Sequence, residues 1–246
     1  MDHIGGIKDF FETFSPTNFW DTANTCEKDE FGDGGPHDEE DWLFYKNLRG
    51  QDSSSDPKRL VLYAGAKGKY YNQGENGTGG GDGLQIHAPT KELIQAGNEC
   101  DDFNDSSYVT LYRSNAGRIL LAGDSHDKTW KHILDNHEDE VRDVDLLLAP
   151  HHGRKSDRSY EFLDIVNPAL TVFGNANNGY LAYGAWNSRK LPFITNNQAN
   201  CMVVDTNGSS MSVYVTNKIF AETSNSNTFY SEAHKAYFLR TIARST

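Results

Sequence analysis

The sequence predicts a mixed α/β (α+β) chain in which sheets are covered by helices, and three observations carry that reading. Short runs alternate apolar and polar residues with the period of a strand, as in "SSYVTLYRS" and "RILLAGD". Strand-like runs outnumber helical ones along the chain. In the second half, helical spacing separates one strand-like run from the next, which is the order expected of helices packed on a sheet.

The elements follow in order. The first sixty residues are strongly polar, and "NTCEKDEFGDGGPHDEEDW" carries acid and glycine without periodicity, so about 21–57 reads as an exposed insertion. "RLVLYAG" is strand-like, and the glycine-rich stretch "NQGENGTGGGDG", about 70–83, reads as a loop with no helix pattern after it that would make it a nucleotide cradle. "LQIHAP" is a short strand. "SSYVTLYRS" and "RILLAGD" form a strand pair joined by "NAG", and "DKTWKHILDNH" has helical spacing at Trp130, Ile133 and Leu134. "DLLLAP" is a buried strand, "SYEFLDIV" a helix, "ALTVFG" a strand, and "YLAYGAWNSRK" a helix or irregular segment. "PFIT", "CMVVDT" and "MSVYVT" are strands, the last two joined through an Asn-Gly turn, and the tail "SEAHKAYFLRTIAR" reads as a closing amphipathic helix.

Length and composition narrow the classes. A chain of 246 residues suits one core, so residues 1–246 are expected to form a single domain. A net charge of -12, from 35 acidic against 23 basic side chains, argues against a broad surface for nucleic-acid backbone but leaves room for a small anionic substrate. Cys26, Cys100 and Cys201 are odd in number and far apart, which predicts no disulfide framework and a cytoplasmic location. No apolar run approaches the roughly 20 residues of a membrane span, and no signal pattern opens the chain.

Three places put metal-competent side chains beside a turn or a strand end. Asp2 and His3 precede Gly5 and Gly6; Asp124 follows an apolar run and Gly123; His151 and His152 follow "DLLLAP" and precede Gly153. Carboxylate and imidazole are the donors used to hold zinc, manganese or iron. Each group alone has a plainer reading, as a solvated terminus, a turn residue or a surface pair. Asp101, Asp102 and Asp105 read as a solvated turn, His126 as solvated, and His37, His132, His137 and His234 as surface.

The order "DHIGG", then a strand pair ending "LLAGD", then "LLLAPHHG" resembles the metallo-β-lactamase-fold hydrolases. It is most similar to the soluble hydrolase domain of ComEC-type competence proteins and their free-standing relatives. "FNDSSYVTLYRSNAGRILLAGDSHDKTWKHIL" and "PALTVFGNANN" extend the resemblance, which runs in pieces from residue 2 to about residue 215. It implies an αββα sandwich holding one or two ions of Zn or Mn. Asp2 and His3 match the last two residues of the family's H-x-[HD]-x-D-H motif, which implies metal ligation by both and a further catalytic role for Asp2 in orienting or deprotonating water. Asp124 matches the bridging carboxylate. One of His151 and His152 matches the final ligand, with the other beside it or at the substrate, and His87 matches a strand-end histidine read as structural. The motif's first two ligands and the fold's opening strands would precede Asp2, so an N-terminally truncated member is expected. Arg154 replaces the family's serine, and Tyr183-Gly184-Ala185-Trp186 replaces its Tyr-Gly-His-Pro turn. The implied activity is metal-dependent hydrolysis, phosphodiesterase or nuclease-like, on a nucleotide or nucleic-acid substrate. The alternative is a degenerate member with a binding or regulatory role.

Overall fold

The computed structural model describes residues 4–28, 30–31, 38–68, 71, 83–100 and 102–243. Chain order begins with α1 (Ile7–Phe14), β1 (Asn18–Asp21), α2 (Glu39–Arg49) and β2 (Lys58–Val61). The polar stretch expected as an exposed insertion over about 21–57 therefore contains a helix, α2. The local reason is electrostatic: Asp38 accepts the Glu40 N–H at 2.7 Å, Glu39, Glu40 and Asp41 fill the first turn, and Lys46 and Arg49 fill the last. Trp42 and Leu48 give this polar helix a buried side. β1 and β2 pair in parallel as a separate two-stranded sheet. Most of the glycine-rich stretch lies outside the described residues.

The next strands build the main sheet. They are β3 (Leu84–Ala88), β4 (Val109–Ser114), β5 (Gly117–Leu121), β6 (Leu146–Leu148), β7 (Leu170–Phe173) and β8 (Phe193–Thr195), hydrogen-bonded side by side in that order. β3, β4 and β5 are antiparallel, and β5 to β8 run parallel. The intervening helices are α3 (Lys91–Cys100), which sequence periodicity did not single out, α4 (Asp127–Val141), α5 (Leu163–Val166) and α6 (Tyr183–Ser188). Parallel neighbours need crossovers, and crossovers in one direction of right-handed sense place α4, α5 and α6 on the same face. There Trp130, Ile133, Leu163, Val166 and Trp186 pack with Leu111, Leu120, Leu147 and Phe173 of the sheet.

The opposite face carries a second core. α7 (Asn196–Ala199), β9 (Met202–Asp205), β10 (Ser210–Val215), α8 (Lys218–Ser224), β11 (Tyr230–Ser231) and β12 (Ala236–Ala243) complete the chain, with the sheet order β11-β12-β10-β9. Leu146, Leu170, Val172 and Ile194 of the main sheet meet Met211, Val213, Val215, Leu239 and Ile242 of this second sheet. The layers are thus helices, six-stranded sheet, four-stranded sheet.

The tail expected to be a helix is β12, a correction. β12 pairs with β10, and the register jumps from Val213↔Arg240 to Tyr214↔Phe238, leaving Leu239 as an extra residue. That bulge places the buried Ala236, Leu239 and Ile242 three residues apart, a spacing that mimics a helix face. Cys26, Cys100 and Cys201 are all free. Among the described residues, no helix is long and apolar enough to cross a membrane.

Candidate active site at the strand ends

The carboxyl ends of β5 and β6 bring two of the three sequence-predicted groups together. In open α/β sheets this end is where ligands bind, because the loops leaving adjacent strands flank one crevice. Asp2 and His3 lie outside the described residues.

Asp124 is presented by a turn that requires Gly123. Gly123 has φ +52°, and a Cβ there would sit 2.8 Å from Tyr108 O and 2.9 Å from Ser107 Cβ. The Asp124 N–H donates to Ser107 Oγ at 3.1 Å, which ties the turn to the segment before β4. Asp105 stands one step further back and is not the solvated residue expected. Its Oδ1 accepts from the His126 N–H at 3.0 Å, the Thr129 N–H at 3.2 Å and the Thr129 hydroxyl at 2.7 Å, so it caps the start of α4. Asp101 lies outside the described residues, and Asp102 folds back on Asn104 in an exposed turn, as expected.

His151 and His152 sit in a strained turn. After Pro150 their φ values are +50° and +59°, followed by Gly153 at +79°, so three successive residues are left-handed. For a residue with a Cβ this conformation costs on the order of 1 kcal/mol, and such strain concentrates where side chains must be aimed. The His151 N–H donates to Gly123 O at 2.9 Å, joining this turn to the Asp124 turn. His152 Nδ1 would lie 2.9 Å from a Cβ on Gly174, just past β7, so the glycine there makes room for the imidazole.

Arg158, which sequence reasoning missed, organises both turns. Its side chain is buried, with Nη2 donating to Asp124 O at 2.6 Å, Nε to Ser125 O at 2.9 Å and Nη1 to Ser156 Oγ at 2.9 Å. Nη1 also lies 3.0 Å from His151 Nδ1. A guanidinium only donates, so Nδ1 accepts and the proton of the neutral His151 ring belongs on Nε2. Burial pushes the His151 pKa down; the Asp124 carboxylate opposes this, and Arg158, Arg154 and His152 add to it. His126 is half-buried rather than solvated, its ring 6.5 Å from that of His151. No local signal in "RKSDRS" marks Arg158 over its basic neighbours.

Asp124, His151 and His152 do not form a ready three-donor cluster. Among the described residues, the metal-competent side chains with ligand atoms all within 4.8 Å of one another are His87, His137 and Glu140. His87 is almost fully buried in β3, and its pKa is lowered to about 4, first by burial and then by the neighbouring His137. His137 and His132, expected at the surface, pack beside it: the His87 and His137 rings are 4.5 Å apart, and those of His132 and His137 6.0 Å. His234 is likewise not a free surface group, lying 3.2 Å from Asp205 Oδ2 and against the Tyr214 ring.

Compared with protein-family models and with curated proteins, the sequence matches none, so the reading of its chemistry rests on Asp124, His151, His152 and Arg158 themselves.

Proposed function

We propose that the chain is a metal-dependent hydrolase acting on a phosphodiester, with its site at the ends of β5 and β6. The observation that carries this reading is the left-handed His151-His152-Gly153 turn, joined to the Asp124 turn by a backbone hydrogen bond and held by the buried Arg158. Two successive non-glycine residues in this conformation are backbone strain of the kind that concentrates at functional sites. The layering of helices, sheet and sheet supports a metallo-β-lactamase-like sandwich as the finer fold reading.

The donor set of Asp124 and His152 fits an ion such as Zn or Mn, with Asp2 and His3 as the further ligands that the sequence resemblance implies. Such an ion, when bound, supplies a water acidified to a pKa of about 7. The chain's own residues account for the rest. His151, its Nδ1 already taken by Arg158, offers an Nε2–H donor to an oxygen on which negative charge develops. Arg154, close enough to act on the His151 charge, supplies positive charge for a phosphate. Ser107 and Arg158 fix the Asp124 backbone, which positions its side chain at the strand end.

The test is metal analysis of the purified chain followed by hydrolysis of bis-p-nitrophenyl phosphate with Mn or Zn. Asp124→Ala and His152→Ala should abolish turnover, and His151→Ala should lower kcat on the order of 100-fold. Turnover unchanged in Asp124→Ala and His152→Ala sinks the proposal. A second reading, a degenerate member with a binding or regulatory role, is favoured by one observation: among the described residues, the strand-end side chains do not form a three-donor group. A chain that binds no metal at this site and turns nothing over would favour it over the hydrolase reading.

A further inference from the structure

A second group of metal-competent side chains lies between β3 and the end of α4, and it shares no residue with the strand-end site. His87 is presented by β3. His137 and Glu140 come from the last turns of α4, where the helix breaks at His137 with φ −137° and ψ 20°. One ligand atom from each of the three lies within 4.8 Å of the other two. His137 Nδ1 is 2.9 Å from Glu140 Oε1, and His87 Nε2 is 4.0 Å from Glu140 Oε2. In a tetrahedral site with bonds of about 2.0–2.2 Å, donor atoms stand about 3.4 Å apart. The measured separations, one to each oxygen of Glu140, fall on either side of that value, so the three side chains stand close enough to share one ion after small rotations.

An independent observation points the same way. His87 is 2 % exposed, and its Nε2 is buried and makes no hydrogen bond among the described residues. A buried imidazole nitrogen without a partner is uncommon because its desolvation goes uncompensated, and this one faces the Glu140 carboxylate. The side chains of His137 and Glu140 are 29 % and 33 % exposed, so the cluster is closed at the His87 end and open to solvent at the other. That is a path for an ion and room for a coordinated water.

The charged surroundings suit a neutral-imidazole and carboxylate donor set. Arg113 Nη2 lies 3.3 Å from Glu140 Oε2, and Arg113 Nε donates to Gln85 Oε1 at 2.7 Å. Arg113 therefore supports the Glu140 carboxylate through Oε2, the oxygen 4.0 Å from His87 Nε2, while Oε1 lies beside His137. Hydrogen-bonded support of a ligating carboxylate is a regular part of such sites. His132 stands beside His137, and Glu92 acts on His132 from α3.

We propose that His87, His137 and Glu140 bind one divalent ion of the zinc class, which ties β3 to the last turns of α4. Nitrogen, nitrogen and carboxylate oxygen favour zinc over magnesium or calcium. The site is structural in its effect: the ion joins segments fifty residues apart and stabilises the folded chain by mass action.

The test uses the full chain, stripped with chelator and titrated with Co(II) as an absorbance probe and with Zn(II) against a chromophoric chelator. The starting protein is the Asp124→Ala, His151→Ala, His152→Ala variant, which lacks the donors at the ends of β5 and β6. One equivalent bound, with the visible bands of a tetrahedral nitrogen and oxygen site and a rise in Tm on adding Zn(II), is expected. His137→Ala and Glu140→Gln should each weaken binding on the order of 100-fold, and Arg113→Gln on the order of 10-fold, with circular dichroism unchanged. The same two substitutions in the parent chain should remove one equivalent, so the result does not depend on how the triple variant folds. No equivalent bound in either background, or binding as tight in both His137→Ala and Glu140→Gln as in their parent, would overturn the proposal. Because hydrolysis is not measured, its outcome is separate from that of the hydrolase reading.

Discussion

Arg158 shows how one buried side chain can join two turns. Its guanidinium meets two backbone carbonyls of the Asp124 turn, the imidazole nitrogen of His151 and the hydroxyl of Ser156. In the proposed reading the two adjacent histidines take different roles, which sequence left open: His151 a donor through Nε2, and His152, seated against Gly174, the ligand. Arg158→Met keeps much of the side chain's bulk and removes every donor. Four acceptors then lose their partner, and the expected loss is about 2–4 kcal/mol of stability, read as a lower urea midpoint with unchanged slope. An unchanged midpoint would mean that solvent or other groups already satisfy those acceptors.

At the scale of elements, α4 depends on residues that are not its own. His126 at its start offers no side-chain cap, and Asp105 supplies one from the turn before β4. At the other end the Arg118 guanidinium of β5 donates to Glu140 O at 3.0 Å, Arg142 O at 2.9 Å and Asp143 O at 2.8 Å. A carboxylate at the positive end and a guanidinium at the negative end both complement the helix dipole. Asp105→Ala should therefore cost about 1–2 kcal/mol in chemical denaturation, whereas Asp105→Asn, which keeps an accepting oxygen, should recover most of it. Equal losses in both variants would show that charge, rather than the cap, dominates.

The two cores are built on opposite faces of one six-stranded sheet, and β6 illustrates the division: Leu147 packs with the helices, and Leu146 with the second sheet. Because the sheet backbone is common to both, damage on one side should be felt on the other. Leu147→Ala and Met211→Ala, each at a fully buried position, should each destabilise by about 2–5 kcal/mol. Tryptophan fluorescence, to which the buried Trp130 and Trp186 of the helical core contribute, and far-ultraviolet circular dichroism should report the same midpoint for Met211→Ala. Two separate transitions would show that the cores melt independently.

The sequence by itself determined the features that depend on near neighbours. Alternation marked β4 and β5, the apolar runs marked β6 and β7, and the Gly and Pro stops placed Asp124, His151 and His152 at strand ends. The tertiary structure decided what depends on pairing between distant residues. The β10 partner and its bulge made the tail a strand although its buried residues are spaced like a helix face. The approach of α4 to β3 brought His87 to the His137 and Glu140 pair, fifty residues further along the chain. Arg158 acquired its place only when β5 and β6 became adjacent. Local periodicity reports which face of an element is apolar; it carries no distance between faces, and a site is a set of such distances.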